Sequence, residues 1–373
     1  FDKKAVAQSD IDALKIPETT SRNLALLKEG ASGSVITWES SDTDVIALDG
    51  TVTPPESGTA NVTLKATASF ANGEAVSKTF SVSVTAKAEQ VSDQITDSGI
   101  ENVALEDEFL AHASQKESEY LLSLNSKKFL YEFYVVSGLT PPTTDRYQGW
   151  ERSNAVNFRG HTFGHYMSAL SQAYAGTQDA DTKAALLVQI RDAVNGLKEC
   201  QDAYAAKHPS SAGYVSAFRE SILNQIDGTG SSDENVIVPW YNLHKVLAGL
   251  IDIYTFVQDA EDGQLADEAL KIAESFTEYV YRRCSKLTNT STMLRTEYGG
   301  MNEALYEIYD ITGNEHFKAA AQFFDEVSLF NDLAAGKDVL SGKHANTTIP
   351  KLTGALKRYT VMMNNETYYD KLS

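Results

Sequence analysis

Cysteine is nearly absent: 373 residues carry only Cys200 and Cys284. Neither sits in a Cys-x-x-Cys pair or beside a His at metal-ligand spacing, which leaves no sign of a zinc-finger or disulfide framework. Both read as small buried hydrophobes near the ends of two successive helical hairpins. Basic residues are also short, with 32 Lys and Arg against 51 Asp and Glu and a net charge of −19. That balance repels polyanions and no Lys/Arg stripe offsets it, so nucleic acid and anionic lipid are excluded as partners and a neutral or cationic ligand fits better. No apolar run approaches the ~20 residues that span a bilayer, so no membrane insertion is expected. No Lys/Arg-then-apolar leader precedes Phe1, and the expectation is that any signal peptide is not in this chain. Gly-x-Ser-x-Gly, a phosphate loop, His-Glu-x-x-His and a dinucleotide fingerprint are missing too.

What is present divides into two textures. The hydrophobic content of 42% suffices for a full core, and the length suits two or three domains. Over residues 1–87 the pattern alternates at period two, as in Asn61-Val-Thr-Leu-Lys-Ala-Thr-Ala68 and Lys78-Thr-Phe-Ser-Val-Ser-Val-Thr85, with Gly and Pro at the turns. Short strands so spaced predict a small all-β sandwich with Trp38 as its anchor. Residues 88–102 are acidic and polar and read as a linker. From residue 103 to 373 the period becomes 3.6, predicting helices over Thr162–Tyr174, Thr182–Gln201, Leu243–Val257, Leu265–Tyr279, Asn302–Tyr309, Glu315–Phe330 and Thr347–Tyr359.

A tyrosine followed five residues later by Asp or Asn recurs four times in this half: Tyr174/Asp179, Tyr254/Asp259, Tyr309/Asn314 and Tyr359/Asn364. The recurrence predicts one helical hairpin used repeatedly, because a lone amphipathic hairpin leaves an apolar face that only a stacked neighbour covers. Upstream of the tyrosines stand His161 and His165, Trp240 and His244, Asn302 and Glu303, and His344 and Asn346. If the hairpins stack in parallel, these residues converge where the first helices begin. Imidazole, amide and carboxylate groups beside free helical N–H groups supply the mixed donors and acceptors that a ring of hydroxyls needs. Trp240, four residues before His244, is expected to add an apolar platform. The i, i+4 pair His161/His165 has metal-ligand spacing but no third ligand in sight. Glu303 is the one carboxylate placed at the mouth, and a two-carboxylate glycosidase needs a pair.

The phrases Phe158-Arg-Gly-His-Thr-Phe-Gly-His-Tyr166, Gly213-Tyr-Val-Ser-Ala-Phe218, Pro239-Trp-Tyr-Asn-Leu-His-Lys245, Tyr298-Gly-Gly-Met-Asn-Glu303 and Ser341-Gly-Lys-His-Ala-Asn346 follow one another in this order. In series they closely resemble the β-L-arabinofuranosidases of glycoside hydrolase families 127 and 146, formerly a domain of unknown function. Ile36-Thr-Trp-Glu-Ser-Ser and Gly50-Thr-Val-Thr-Pro resemble bacterial immunoglobulin-like domains appended to secreted carbohydrate enzymes, where they act as spacers or bind sugar. The resemblance implies an (α/α)6 toroid, here incomplete at its C-terminal end, preceded by the immunoglobulin-like sandwich. It implies a bacterial extracellular or cell-surface hydrolase that releases L-arabinose from β-L-arabinofuranosides of plant polysaccharides or glycoproteins with retention. His244 and His344 fall where the family places sugar-contacting histidines, and Glu303 at a polar position of the same pocket.

The family's nucleophile resembles a zinc-bound cysteine held with further Cys ligands and a Glu, and a second Glu serves as acid/base, all downstream of the His-Ala-Asn phrase. Residues 347–373 contain no cysteine, and Cys200 and Cys284 match none of those positions. The catalytic residues are therefore expected downstream of Ser373, which implies a chain with none of its own, inactive alone, and zinc required only where that downstream segment is present. An incomplete toroid would expose apolar helix faces and self-associate. Two alternatives stand beside this one: a non-catalytic carbohydrate-binding or surface-attachment protein, and another α/α-toroid enzyme such as an unsaturated glucuronyl hydrolase or a polysaccharide lyase. A uronic acid substrate calls for basic residues at the mouth, where only Arg159, Lys245 and Lys343 stand.

Overall fold

Alternation over Thr59–Ser69 turns Val62, Leu64, Ala66 and Ala68 to one face, where they are buried. The computed structural model describes residues 2–21, 23–71, 73–86, 99–152 and 157–363, and the chain divides into a unit of Phe1–Asp97 and one of Ser98–Leu372. In the first unit α1 (Lys3–Asp12) is followed by β1 (Thr19–Thr20), β2 (Val35–Ser40), β3 (Thr59–Ser69) and β4 (Val76–Thr85), which form one sheet in the order β1-β4-β3-β2. β2 and β4 pair antiparallel to β3, with Trp38 opposite Ala66 and Leu64 opposite Phe80. Trp38 is buried as expected, donating its indole N–H to the Leu27 carbonyl at 2.8 Å.

The layer on this sheet is α1, which the period-two reading did not contain, and not a second sheet among the described residues. Asp2 caps α1 by accepting from the Lys4 and Ala5 amides. Ala7 and Ile11 enter the same core as Leu64 and Trp38. Asp10, buried beside them, accepts from the Ser34 hydroxyl at 2.7 Å and the Ser32 amide at 3.0 Å. The Asp44–Pro55 stretch forms a turn closed by a single bridge between Ile46 and Val52. The expected linker, 88–102, lies outside the described residues except for 99–102.

In the second unit α2 (Glu108–Ser123), α3 (Ser126–Phe129) and α4 (Tyr131–Ser137) precede the hairpin of α5 (His161–Gly176) and α6 (Ala180–Lys207). Then come α7 (Ser221–Asp227), the hairpin of α8 (Pro239–Phe256) and α9 (Gln264–Cys284), α10 (Ser291–Leu294), the hairpin of α11 (Met301–Thr312) and α12 (Glu315–Gln322), α13 (Val327–Ala334) and α14 (Ala345–Met363). The first helices α5, α8, α11 and α14 neighbour one another in that order, and α6, α9 and α12 form the second row. Two rows of alternating helices are the layers of an α/α toroid, here with an N-terminal β domain. The approach of α5 to α8 depends on Gly164, where a Cβ would collide with the Lys245 carbonyl.

Asp179 and Asn314 owe their recurrence to capping: their side chains accept from the Thr182 and His316 amides at the starts of α6 and α12. The tyrosines before them face a lysine of the second helix, Tyr174 under Lys183 and Tyr309 under Lys318. Asp259 does something else, pairing with Lys183 while Gly263 starts α9. Tyr359 stands inside α14, and Asn364 lies outside the described residues. The helix expected over Glu315–Phe330 is interrupted between Gln322 and Val327. There Asp325 is buried and accepts from the Tyr306 hydroxyl at 2.7 Å and from Arg358 at 2.8 Å, so tertiary hydrogen bonds outweigh the helical period.

Both cysteines are free and buried, each thiol pushed up to about 12 by burial, with Cys284 set against the Met293 sulfur. Ile349, Leu356 and Tyr359 on α14 and Phe109, Leu110 and Tyr120 on α2 are exposed. No described helix is long and apolar enough to cross a membrane.

Candidate functional site

Polar side chains gather where α5, α8 and α11 begin. His161 opens α5, and its ring stacks on Tyr241 of α8 at 5.2 Å, with Nε2 at 3.4 Å from the tyrosine hydroxyl. One turn on, His165 meets the His161 ring at 4.8 Å, as i, i+4 spacing requires. Tyr241 also faces His244, 6.3 Å between ring centres, and lies under the Lys245 ammonium at 5.1 Å.

The loop before α11 closes this side. Gly299 has φ of +60°, and a Cβ there would collide with the Tyr241 ring and lie 2.8 Å from His244 Nδ1. Only glycine lets the backbone come so near at that dihedral. The next amide, Gly300 N–H, donates to His244 Nδ1 at 3.3 Å, which makes that nitrogen the acceptor. Glu303, in the first turn of α11, receives a hydrogen bond from the Thr353 hydroxyl of α14 at 2.9 Å. Its carboxylate sits where the positive end of the α11 dipole favours a negative charge.

The start of α5 is capped from a distance. Glu151 is buried, and its carboxylate oxygens accept from the Gly160 and Thr162 amides, each at 2.9 Å. Burial raises its pKa, and those hydrogen bonds oppose the shift. At the start of α8, Val238 holds a φ of +49°, a region costly for a β-branched residue. The Asn242 side-chain amide donates to the Ile237 carbonyl at 3.2 Å, and the Ile237 amide to the Asn157 carbonyl at 3.0 Å, so both leading loops are tied together.

Burial sets the charges. Desolvation pushes His161 down to about 4, and His244 well below the ordinary imidazole value, with Lys245 and the other histidines adding to the effect. His165 is lowered for the same first cause. At neutral pH these rings are uncharged donors and acceptors. Lys245 is lowered by burial too, against the opposing charges of Glu303 and Glu297. Farther along the same helices, burial raises Asp252 and Glu307, and Glu303's charge adds to both.

Of the eight residues expected from sequence, four assemble here: His161, His165, His244 and Glu303. The other four do not join them. Trp240 is fully buried, its ring edge-on to Phe324 at 5.1 Å, so it packs the core and offers no platform. Asn302 is fully buried and donates to Asp325 at 3.4 Å and to the Lys351 carbonyl at 3.3 Å, fastening α11 to α14. His344 and Asn346 are exposed at the start of α14, and the contact made by the His344 ring is to Thr347. Sequence reasoning passed over Tyr241, the next residue after Trp240, whereas Lys245, expected at the mouth as a basic residue, does lie over the Tyr241 ring. It also passed over Glu151, whose role has no local signal because the amides it caps lie nine and eleven residues away.

Among the described residues no three His, Cys, Asp or Glu side chains converge to hold a metal ion. Both thiols are buried and protonated, the opposite of what a zinc thiolate requires. The described residues therefore do not fit a zinc-bound nucleophile. They end at Met363, so Ser373 and the catalytic segment expected downstream of it both lie outside them. What the described residues offer is neutral imidazole donors and acceptors beside one carboxylate.

Comparison with known proteins places names beside this geometry. The model of the family described as Beta-L-arabinofuranosidase, GH127 catalytic domain, matches residues 102–372, and that of the family described as Atrophied bacterial Ig domain matches residues 5–87. No curated protein matches the chain.

Proposed function

Because the chain belongs to the β-L-arabinofuranosidase family, glycoside hydrolase family 127, we propose that it acts on β-L-arabinofuranosides of plant polysaccharides or glycoproteins. Its described residues supply the binding part of the site. The observation that carries this is the group of three neutral histidines around Tyr241 with Glu303 beside them. Neutral imidazoles exchange hydrogen bonds with sugar hydroxyls, the buried Tyr241 ring holds His161 and His244 in place, and Glu303 is an acceptor that fixes orientation. Lys245 is the cation placed in the cluster and Glu303 opposes it, which leaves little for a uronic acid carboxylate, whose recognition needs cationic partners. Release of L-arabinose, and an extracellular or cell-surface location, belong to the same proposal. The alternative, from a different class, is that the chain binds saccharide without cleaving it.

Titration calorimetry with methyl β-L-arabinofuranoside and a methyl glucuronide tests the assignment. Binding of the arabinofuranoside alone is expected, weakened about tenfold or more in His244→Ala, because a buried group left without its partner costs ~1–3 kcal/mol. Preference for the glucuronide, or unchanged affinity in His244→Ala, would rule the assignment out.

A further inference from the structure

The three tryptophans have different surroundings. Trp240 is fully buried and Trp38 is 8% exposed, whereas 54% of Trp150 is open to solvent. A scattered exposed apolar residue is ordinary, but this one is built into the edge of the histidine cluster. Its indole lies 5.7 Å from the His161 ring, at 70° to it, and 5.0 Å from Phe158.

The backbone around it is fixed as well. Phe158 donates its amide to the Trp150 carbonyl at 3.0 Å. Glu151, the next residue, is the buried carboxylate that caps Gly160 and Thr162. Trp150 is therefore tied, through its own carbonyl and through Glu151, to the turn that starts α5 and places His161. An exposed indole so held loses little freedom when a ligand covers it, which is what makes aromatic side chains effective contact surfaces.

We propose that Trp150 is the platform of a second sugar subsite abutting the histidine cluster, receiving the ring next to the one that His161, His165 and His244 hold. The ligand is a neutral saccharide unit laid by its C–H face on the indole, so that apolar area is buried while its hydroxyls stay in water. No charged group takes part in this contact, so its strength should not depend on salt. The proposal rests on the saccharide reading of the cluster and deepens it: the chain takes oligosaccharides in preference to single sugars.

Parallel titrations of the whole chain with methyl β-L-arabinofuranoside and with an arabinofuranosyl disaccharide test it. In Trp150→Ala the disaccharide is expected to bind about five- to tenfold more weakly, the size of effect that loss of an aromatic contact brings, with the monosaccharide unchanged within twofold. Trp150→Phe is expected to keep most of the disaccharide preference. It should also lose the change in tryptophan emission that the disaccharide produces in the parent, since Trp240 is sealed in the core. Equal weakening of both ligands in Trp150→Ala would make the indole a support for His161 only and overturn the subsite. An unchanged ratio of the two affinities would overturn it as well. If the parent binds neither ligand, the saccharide reading itself fails, a result separate from any effect of Trp150.

Discussion

Among the described residues the buried Nδ1 of His161 has no hydrogen-bond partner, and Nε2 lies 3.4 Å from the Tyr241 hydroxyl. The ring is poorly provided for as a cation, which is why burial holds its pKa down to about 4. Its unfolded value is near 6.5, so below that pH the unfolded chain binds the proton that the folded chain refuses. Stability from this group is complete above about 6.5 and is lost as pH falls toward about 4. Asp252 and Glu307 act in the opposite sense, since their raised values make the folded state the better proton acceptor. Comparing variants isolates the histidine. His161→Phe is expected to match the parent's stability near pH 7.5 within about 1 kcal/mol and to lose less of it by pH 4.5, measured by urea unfolding at each pH. A parallel pH dependence in the two proteins would show that the imidazole does not titrate with folding. That His161, His165, His244 and Glu303 belong together was legible in their places ahead of the tyrosines. That Tyr241 and not Trp240 faces them was not, because adjacent helix positions differ by about 100° and neighbouring helices decide which one is enclosed.

Helix existence came through clearly for α5, α6, α8, α9 and α11, whose apolar periods are long and uninterrupted. Of the three described positions, the Tyr-to-Asp/Asn interval proved to be a helix start at two. Asn314→Ala is expected to cost about 1 kcal/mol by removing the acceptor for the His316 amide, read from chemical denaturation. Asp179→Ala should destabilise for the same reason. Asp259→Ala should do less, because an exposed pair with Lys183 is worth little and caps nothing. Equal losses at all three would refute the distinction. The break between α12 and α13 was illegible in sequence, since Asp325 is drawn inward by Tyr306 and Arg358, residues 19 and 33 positions away.

At the scale of the whole molecule two separate cores exist, one around Ile36, Trp38 and Leu64 and one spanning the helical unit from Leu121 to Met362. Leu64 is fully buried in the first. Leu64→Ala is expected to lower the unfolding transition of the sheet unit by about 2–5 kcal/mol and leave that of the helical unit in place. Trp38 emission follows the first unit and helical circular dichroism the second, and a shift of both together would show that the cores unfold as one. The change of period near residue 103 is legible in the sequence because the spacing of apolar residues is a local property that each segment carries by itself. The sequence alone therefore determined the two textures, the helices and strands, and the order of the hairpins. Only the tertiary structure decided that α1 covers the sheet, that Trp240 and Asn302 serve packing, and that the histidines are neutral. Those outcomes depend on desolvation and on partners tens of residues distant, which no local pattern encodes.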